Sequence, residues 1–199
     1  MHPFISTMAN MLVIFGLVTY ATKGVSFGAI EPTIPNMVIP KVNGFPTIIL
    51  WAVAAIVIVW FIWNKTTFGK NLYAVGGNPE AAAVSGISVF AVTLGAFIMA
   101  GILYGFGSWL ECTRMVGSGS AAYGQGWDMD AIAACVVGGV SFTGGIGKIS
   151  GVVTGVCIFT ALTYSLTILG IDTNLQFVVS GIIIRFAVTL DCLKYVRKK

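Results

Sequence analysis

Charge is what this sequence has least of. Only 9% of its 199 residues are Asp, Glu, Lys or Arg, while 57% are apolar; soluble domains carry about 25% charged residues. That deficit excludes a large soluble domain and places the chain in a lipid bilayer. Histidine occurs once, as His2, and the four cysteines (Cys112, Cys135, Cys157, Cys192) form no CxxC pair. Such a set predicts no metal site and no disulfide framework. Three of the four cysteines lie in or beside apolar runs and read as small buried residues. The net charge is +4, but the cations are scattered between apolar blocks or bunched at the C-terminus. Without a basic stripe, nucleic acid is not an expected partner. A GxxxxGK[ST] loop is also missing: Lys70 and Lys148 follow glycines but lack the upstream glycine and the following Ser or Thr. The chain is therefore not expected to hydrolyse ATP. HExxH and GxSxG are absent too, which leaves an intramembrane enzyme without support.

What the sequence does have is long apolar runs. A helix crossing the hydrocarbon core needs about 20 mostly apolar residues. Residues 4–21, 46–64, 88–110, 149–169 and 177–193 meet this requirement, the last less cleanly because Arg185 sits inside it. Trp60 and Trp63 stand near one end of the second run as interfacial anchors. The run 131–143 is short: a re-entrant piece, a broken helix, or a crossing that begins near Ala121. Charge argues for a crossing. It places Lys65, Lys70, Lys148, Lys194, Arg197, Lys198 and Lys199 on the cytoplasmic side, with only Lys23, Lys41 and Arg114 outside. The acids Glu31, Glu111, Asp128, Asp130 and Asp172 fall outside. The expected fold is all-α: a polytopic helical bundle of about six passes, one short or broken, with both termini cytoplasmic. Residues 1–199 form one transmembrane domain. Residues 4–21 lack the charged leader and small-residue cleavage site of a signal peptide.

Between two spans lies GGNPEAAAVSG, residues 76–86. Asn78 is a preferred N-cap, Pro79 suits the first helical position, and Glu80 complements the positive end of the helix dipole. Ala81, Ala82 and Ala83 have the highest helix propensity, and Gly86 suits the left-handed residue that ends a helix. Gly76 and Gly77 allow a sharp turn just before it. The stretch encodes about two turns of helix, marginal in isolation. It is either a connector packed under the bundle or a docking element for a cytoplasmic partner.

The stretch TTFGKNLYAVGGNPEAAAVSGI (66–87) resembles the cytoplasmic coupling loop of ABC sugar-importer permeases of the ribose/xylose/galactose group. DMDAIAACVVGGVSFTGGIGKISGVVTG (128–155) is similar to a second characteristic block of that family, and FAVTLDCLKYVRKK to the end of its galactose/methylgalactoside branch. The resemblance covers nearly the whole chain, corresponds to roughly the C-terminal three-fifths of a family member, and is weakest over 18–45. It implies a permease subunit of a bacterial inner-membrane importer for a monosaccharide, galactose-like in its nearest branch. It implies that the 65–87 loop couples to a separate ATP-binding subunit through Asn78, Pro79, Glu80, Ala81, Ala82 and Gly86. ATP and magnesium then belong to that partner, and this chain binds no cofactor of its own. A sugar-binding protein outside, a second permease copy and membrane lipid complete the implied partners. The alternative is a truncated, non-transporting membrane fragment that only binds partners or lipid. A secondary transporter using Arg185 as a coupling charge lacks the inverted repeat such folds carry.

Glycines supply the remaining candidates. Gly147, Gly151 and Gly155 recur every four residues, and Gly101 and Gly105 form a second small face. Such stripes serve close helix packing or line a pathway. Gly138, Gly139, Gly144 and Gly145 interrupt the short run, as backbone lining a cavity or buried in protein does. Arg185, inside the last span, either snorkels to an interface, pairs inside the bundle, or contacts substrate. Glu111, Asp128 and Asp130 belong to the external connection 111–130, either as a solvated loop or as a docking face for the sugar-binding protein.

Overall fold

Apolar runs fold as helices in lipid because every backbone amide and carbonyl must be satisfied within its own segment. The computed structural model describes residues 3–25, 40–42, 45–115, 119–120, 123–141, 143–172, 175–176, 178–183, 185 and 189. Its elements run α1 (Pro3–Thr22), β1 (Lys41–Val42), β2 (Phe45–Pro46), α2 (Ile48–Lys65), α3 (Thr67–Gly77), α4 (Pro79–Val84), α5 (Val89–Arg114), α6 (Trp127–Val137) and α7 (Ile149–Ile168). The described residues between 175 and 189 are helical as well. α1, α2, α5 and α7 are long and apolar enough to cross a membrane. The fold is all-α; β1 and β2 are a two-residue antiparallel pairing that sets Lys41 opposite Pro46 and Val42 opposite Phe45.

The chain divides into two compact units, Met1–Trp51 with Gly101–Gln125, and Ala52–Ala100 with Gly126–Lys199. In the first, Trp51 meets Phe106 and Trp109 of α5 edge-on, with ring centroids 6.1 and 6.2 Å away. Edge-to-face packing of this kind favours the ring quadrupoles. At the end of α5, Arg114 pairs with Glu111 one turn back, and the Tyr123 hydroxyl donates to the same carboxylate at 2.6 Å. Glu111 therefore belongs to α5 rather than to the external loop expected from sequence. Its i,i+3 pair with Arg114 carries the helix past the apolar run.

In the second unit α6 packs on α7 around Ala133, Ala134 and Phe159, the first fully buried, with Ile183 against them. α6 has 11 residues, about 17 Å at the α-helical rise and roughly half the hydrocarbon core. The run 131–143 is thus a broken segment: helix begins at Trp127, earlier than the apolar run, and stops at Gly138. Gly139 follows at φ 83°. Gly76 and Gly77 at the end of α3 lie against Gly144 and Gly145. α5, long and apolar enough to cross a membrane, lies between these two contacting segments in sequence.

Candidate functional site

The candidate site is the connection between α2 and α5, and its geometry starts at Thr66. The Thr66 hydroxyl donates to the Ile62 carbonyl at 2.6 Å and accepts the Gly69 amide at 3.3 Å. It thereby ends α2 and caps α3 in one residue. Gly69 is buried in this corner, where a Cβ would run into the carbonyls of Ile62 and Trp63. The Phe68 ring rests on the backbone of α5 at Gly95, 2.7 Å from where a Cβ there would stand. Lys65 lies 5.8 Å from the Trp60 ring centroid, a cation over an aromatic face.

Asn78 repeats the double role of Thr66. Its amide donates to Ala74 O at 3.0 Å, closing α3. Its side-chain oxygen accepts the Ala81 amide, also at 3.0 Å, and its carbonyl accepts the Ala82 amide, opening α4. Pro79 occupies the first turn of α4 with Glu80 beside it. At the other end Gly86 takes φ 83°, and the amides of Gly86 and Ile87 return to Ala83 and Ala82. The Ser85 hydroxyl donates to Ala81 O at 2.9 Å. Ala82 is buried and anchors α4, while Glu80, Ala81, Ala83 and Val84 are exposed, Val84 at 91%. α4 is thus a six-residue helix with one buried anchor and an exposed apolar residue at its end.

α3 is the element that sequence reasoning missed. Residues 67–77 read as loop because they hold four glycines and asparagines, yet Thr66 as cap and apolar Phe68, Leu72 and Val75 at helical spacing carry the helix signal. Gly76 and Gly77, expected to form a turn, are the last residues of α3, and Asn78 supplies the turn. At Gly76 the lack of a side chain has another use, whereas a Cβ on Gly77 would meet nothing within 4 Å. A Cβ on Gly76 would stand 2.8 Å from Gly145 N, and one on Gly145 would stand 2.6 Å from Gly77 Cα. The facing loop is itself closed, with Ser141 N donating to Ile146 O at 3.0 Å. Gly144 and Gly145 sit at φ 93° and 71°, a region that favours glycine. The Tyr73 hydroxyl donates to Gly147 O at 2.8 Å. Beside this junction a cleft of about 510 Å³ is walled by Val59, Trp63, Leu72, Tyr73, Cys135 and Val152.

Residues 1–188 match the family described as branched-chain amino acid transport system / permease component. The chain belongs to this permease family. It is 54% identical, over its whole length, to the galactose/methyl galactoside import permease protein MglC of Treponema pallidum, of which it covers 39%. It is 45% identical over 99% of its length to the protein of the same name from Escherichia coli, covering 60% of that protein. The ribose import permease protein RbsC of Bacillus subtilis is 37% identical over 96% of this chain and is likewise covered to 60%. The chain thus spans between two-fifths and three-fifths of these relatives. The resemblance carried by residues 66–87 and 128–155 agrees with them. No solved structure matches the chain.

The remaining candidates of this permease chain separate into groups. Gly138, Gly151 and Gly155 come together where α6 meets α7: a Cβ on Gly138 would strike Gly151 O, and one on Gly155 would strike Ala134 O. Gly147 is not part of that stripe, because α7 begins only at Ile149; it faces Val140 across the loop. Gly101 and Gly105 have nothing within 4 Å of a would-be Cβ. Arg185 is helical and exposed, and the Thr189 hydroxyl donates to its carbonyl at 2.7 Å. Asp128 and Asp130 occupy the first turn of α6, where negative charge suits the helix dipole. Among the described residues, no three His, Cys, Asp or Glu side chains converge to hold a metal.

Proposed function

We propose that this chain is transmembrane permease machinery of an ATP-binding-cassette importer that moves a monosaccharide, galactose or a methyl galactoside, across the bacterial inner membrane. The observation that carries the reading is α4: a helix pinned at Asn78 and anchored by Ala82, with Glu80, Ala81 and Val84 turned outward. The similarity to import permeases named for galactose and ribose supplies the cargo class. In this reading the 65–87 loop faces the cytoplasm and α4 seats in a groove of a separate ATP-binding subunit. That subunit holds ATP and magnesium and does the hydrolysis; this chain binds no cofactor and performs no chemistry on the sugar. Asn78, Pro79 and Gly86 fix the helix, and Glu80, Ala81 and Ala82 set its docking geometry.

Transport then proceeds by alternating access. A sugar-binding protein delivers its ligand outside, and closure of the ATP-binding subunits moves α4 and the helices attached to it. The pore forms with a second permease copy, and both chain termini lie on the cytoplasmic side with the lysine-rich tail. The test is co-purification from detergent with the cognate ATP-binding subunit. Wild type is expected to retain the subunit, and Glu80→Lys, which reverses the charge on the exposed docking face, to lose it. A monodisperse wild-type chain that retains no subunit sinks the proposal.

A further inference from the structure

We infer that the loop 141–148 is the contact through which α4 drives the membrane helices, and that Tyr73 is the positioning residue that holds it. This rests on the importer reading above and names the next step in its transmission. α3 and α4 share Asn78, so displacement of α4 is carried by α3. Among the described residues, α3 meets the loop through a side-chain hydrogen bond and a backbone contact. One is the hydrogen bond from the Tyr73 hydroxyl to Gly147 O, 2.8 Å long and joining residues 74 apart in sequence. The other is the interlock of Gly76 and the Gly77 backbone with Gly144 and Gly145, where no side chain intervenes and a would-be Cβ on Gly76, Gly144 or Gly145 stands 2.6–2.8 Å from facing backbone. Backbone in contact with backbone transmits displacement without a compressible side chain between.

Beyond the loop the path stays stiff. Residues 138–148 connect α6 to α7, and these helices are locked at Gly138, Gly151 and Gly155 by carbonyl contacts that leave no room for a methyl group. Motion of α3 therefore reaches α6 and α7 together, as one body. Tyr73 is half-buried at the edge of the cleft, and its hydroxyl is a side-chain tie between α3 and the loop. Removing that hydroxyl leaves the helices and the docking face of α4 intact but loosens the tie.

The test uses the complete importer in proteoliposomes, with Tyr73→Phe and, independently, Gly145→Ala, whose Cβ would press on Gly77. The readouts are retention of the ATP-binding subunit, ATP hydrolysis, and sugar delivered per ATP hydrolysed. Both variants are expected to retain the subunit and hydrolyse ATP. Sugar per ATP is expected to fall roughly two- to tenfold in Tyr73→Phe, the range that loss of one neutral hydrogen bond implies. Sugar per ATP at the wild-type value in both variants overturns the inference. Loss of the ATP-binding subunit from Tyr73→Phe overturns it too, by making Tyr73 part of docking. Failure of the wild-type chain to bind that subunit is a different result and refutes the importer reading itself.

Discussion

The side-chain oxygen of Asn78 accepts the amide of Ala81 at 3.0 Å, while the Asn78 amide closes the preceding helix on Ala74. One residue thus ends α3 and starts α4, and the angle between the two helices depends on it. Removing the cap costs about 1 kcal/mol, and a six-residue helix has little else of its own to hold it. Asn78→Ala is expected to raise hydrogen exchange at Ala81 and Ala82 roughly fivefold, the equivalent of that loss, with α6 and α7 unchanged. Asn78→Asp or Asn78→Ser keeps an acceptor and is expected to restore protection. Equal exchange in all three variants contradicts the capping role.

The legibility of this region differs between its two helices for a physical reason. α4 is encoded locally: cap, proline, acid, alanines and terminating glycine all point the same way within nine residues. α3 is not, because Gly69, Gly76 and Gly77 count against a helix by propensity. Tertiary contacts override that, since each of Gly69, Gly76 and, across the loop, Gly145 touches backbone that a side chain would displace. The four long helices α1, α2, α5 and α7 are readable from apolar length alone; much of the fifth expected span, 177–193, lies outside the described residues. α6 is not readable in this way, because its first turn carries Asp128 and Asp130 and lies outside the apolar run. The interlock that makes Gly144 and Gly145 neighbours of α3 joins residues far apart in sequence, and no periodicity announces it.

Glycines that look alike in sequence differ in what surrounds them. At Gly155 a Cβ would meet Ala134 O and stand 2.7 Å from Gly138 N; at Gly105 it would meet nothing within 4 Å. Alanine gains about 1 kcal/mol over glycine in helix propensity at either site. At Gly155 overpacking of about 1–3 kcal/mol opposes that gain. Gly105→Ala is therefore expected to be neutral or stabilising in detergent, and Gly155→Ala to lower the unfolding midpoint by up to about 2 kcal/mol of stability. Circular dichroism during denaturation orders the two; a more stable Gly155→Ala contradicts the close α6–α7 contact.

Tyr123 donates its proton to Glu111, and that hydrogen bond, with some burial, holds its phenol above the usual tyrosine range. The protonated form is the one favoured in the fold. Its contribution to stability is therefore complete below the ordinary phenol pKa of about 10 and is lost as pH rises through the higher folded value. Tyrosinate absorbance, wild type minus Tyr123→Phe, is expected to titrate above the ordinary value. Glu111→Gln removes the acceptor charge and is expected to bring that titration down. No change on Glu111→Gln contradicts the pairing.

Contact between Gly76 and Gly145 makes a prediction about sidedness that charge counting alone leaves to statistics. The two glycines are separated in sequence by α5, which is long enough to cross the membrane. With α5 read as a crossing, their contact predicts that the chain between Arg114 and Gly144 returns to the first face, although α6 by itself is too short to span. Single cysteines at Ser85 and at Lys148, in a chain whose own cysteines are replaced by serine, are therefore expected to react with a membrane-impermeant thiol reagent from the same face. A cysteine at Ser120, between α5 and α6, is expected to react only from the opposite face. Labelling of Ser120→Cys and Lys148→Cys from one face means that residues 115–143 dip in and return. The α3 junction with the 141–148 loop then cannot exist in the membrane, and the transmission route through Tyr73 falls with it.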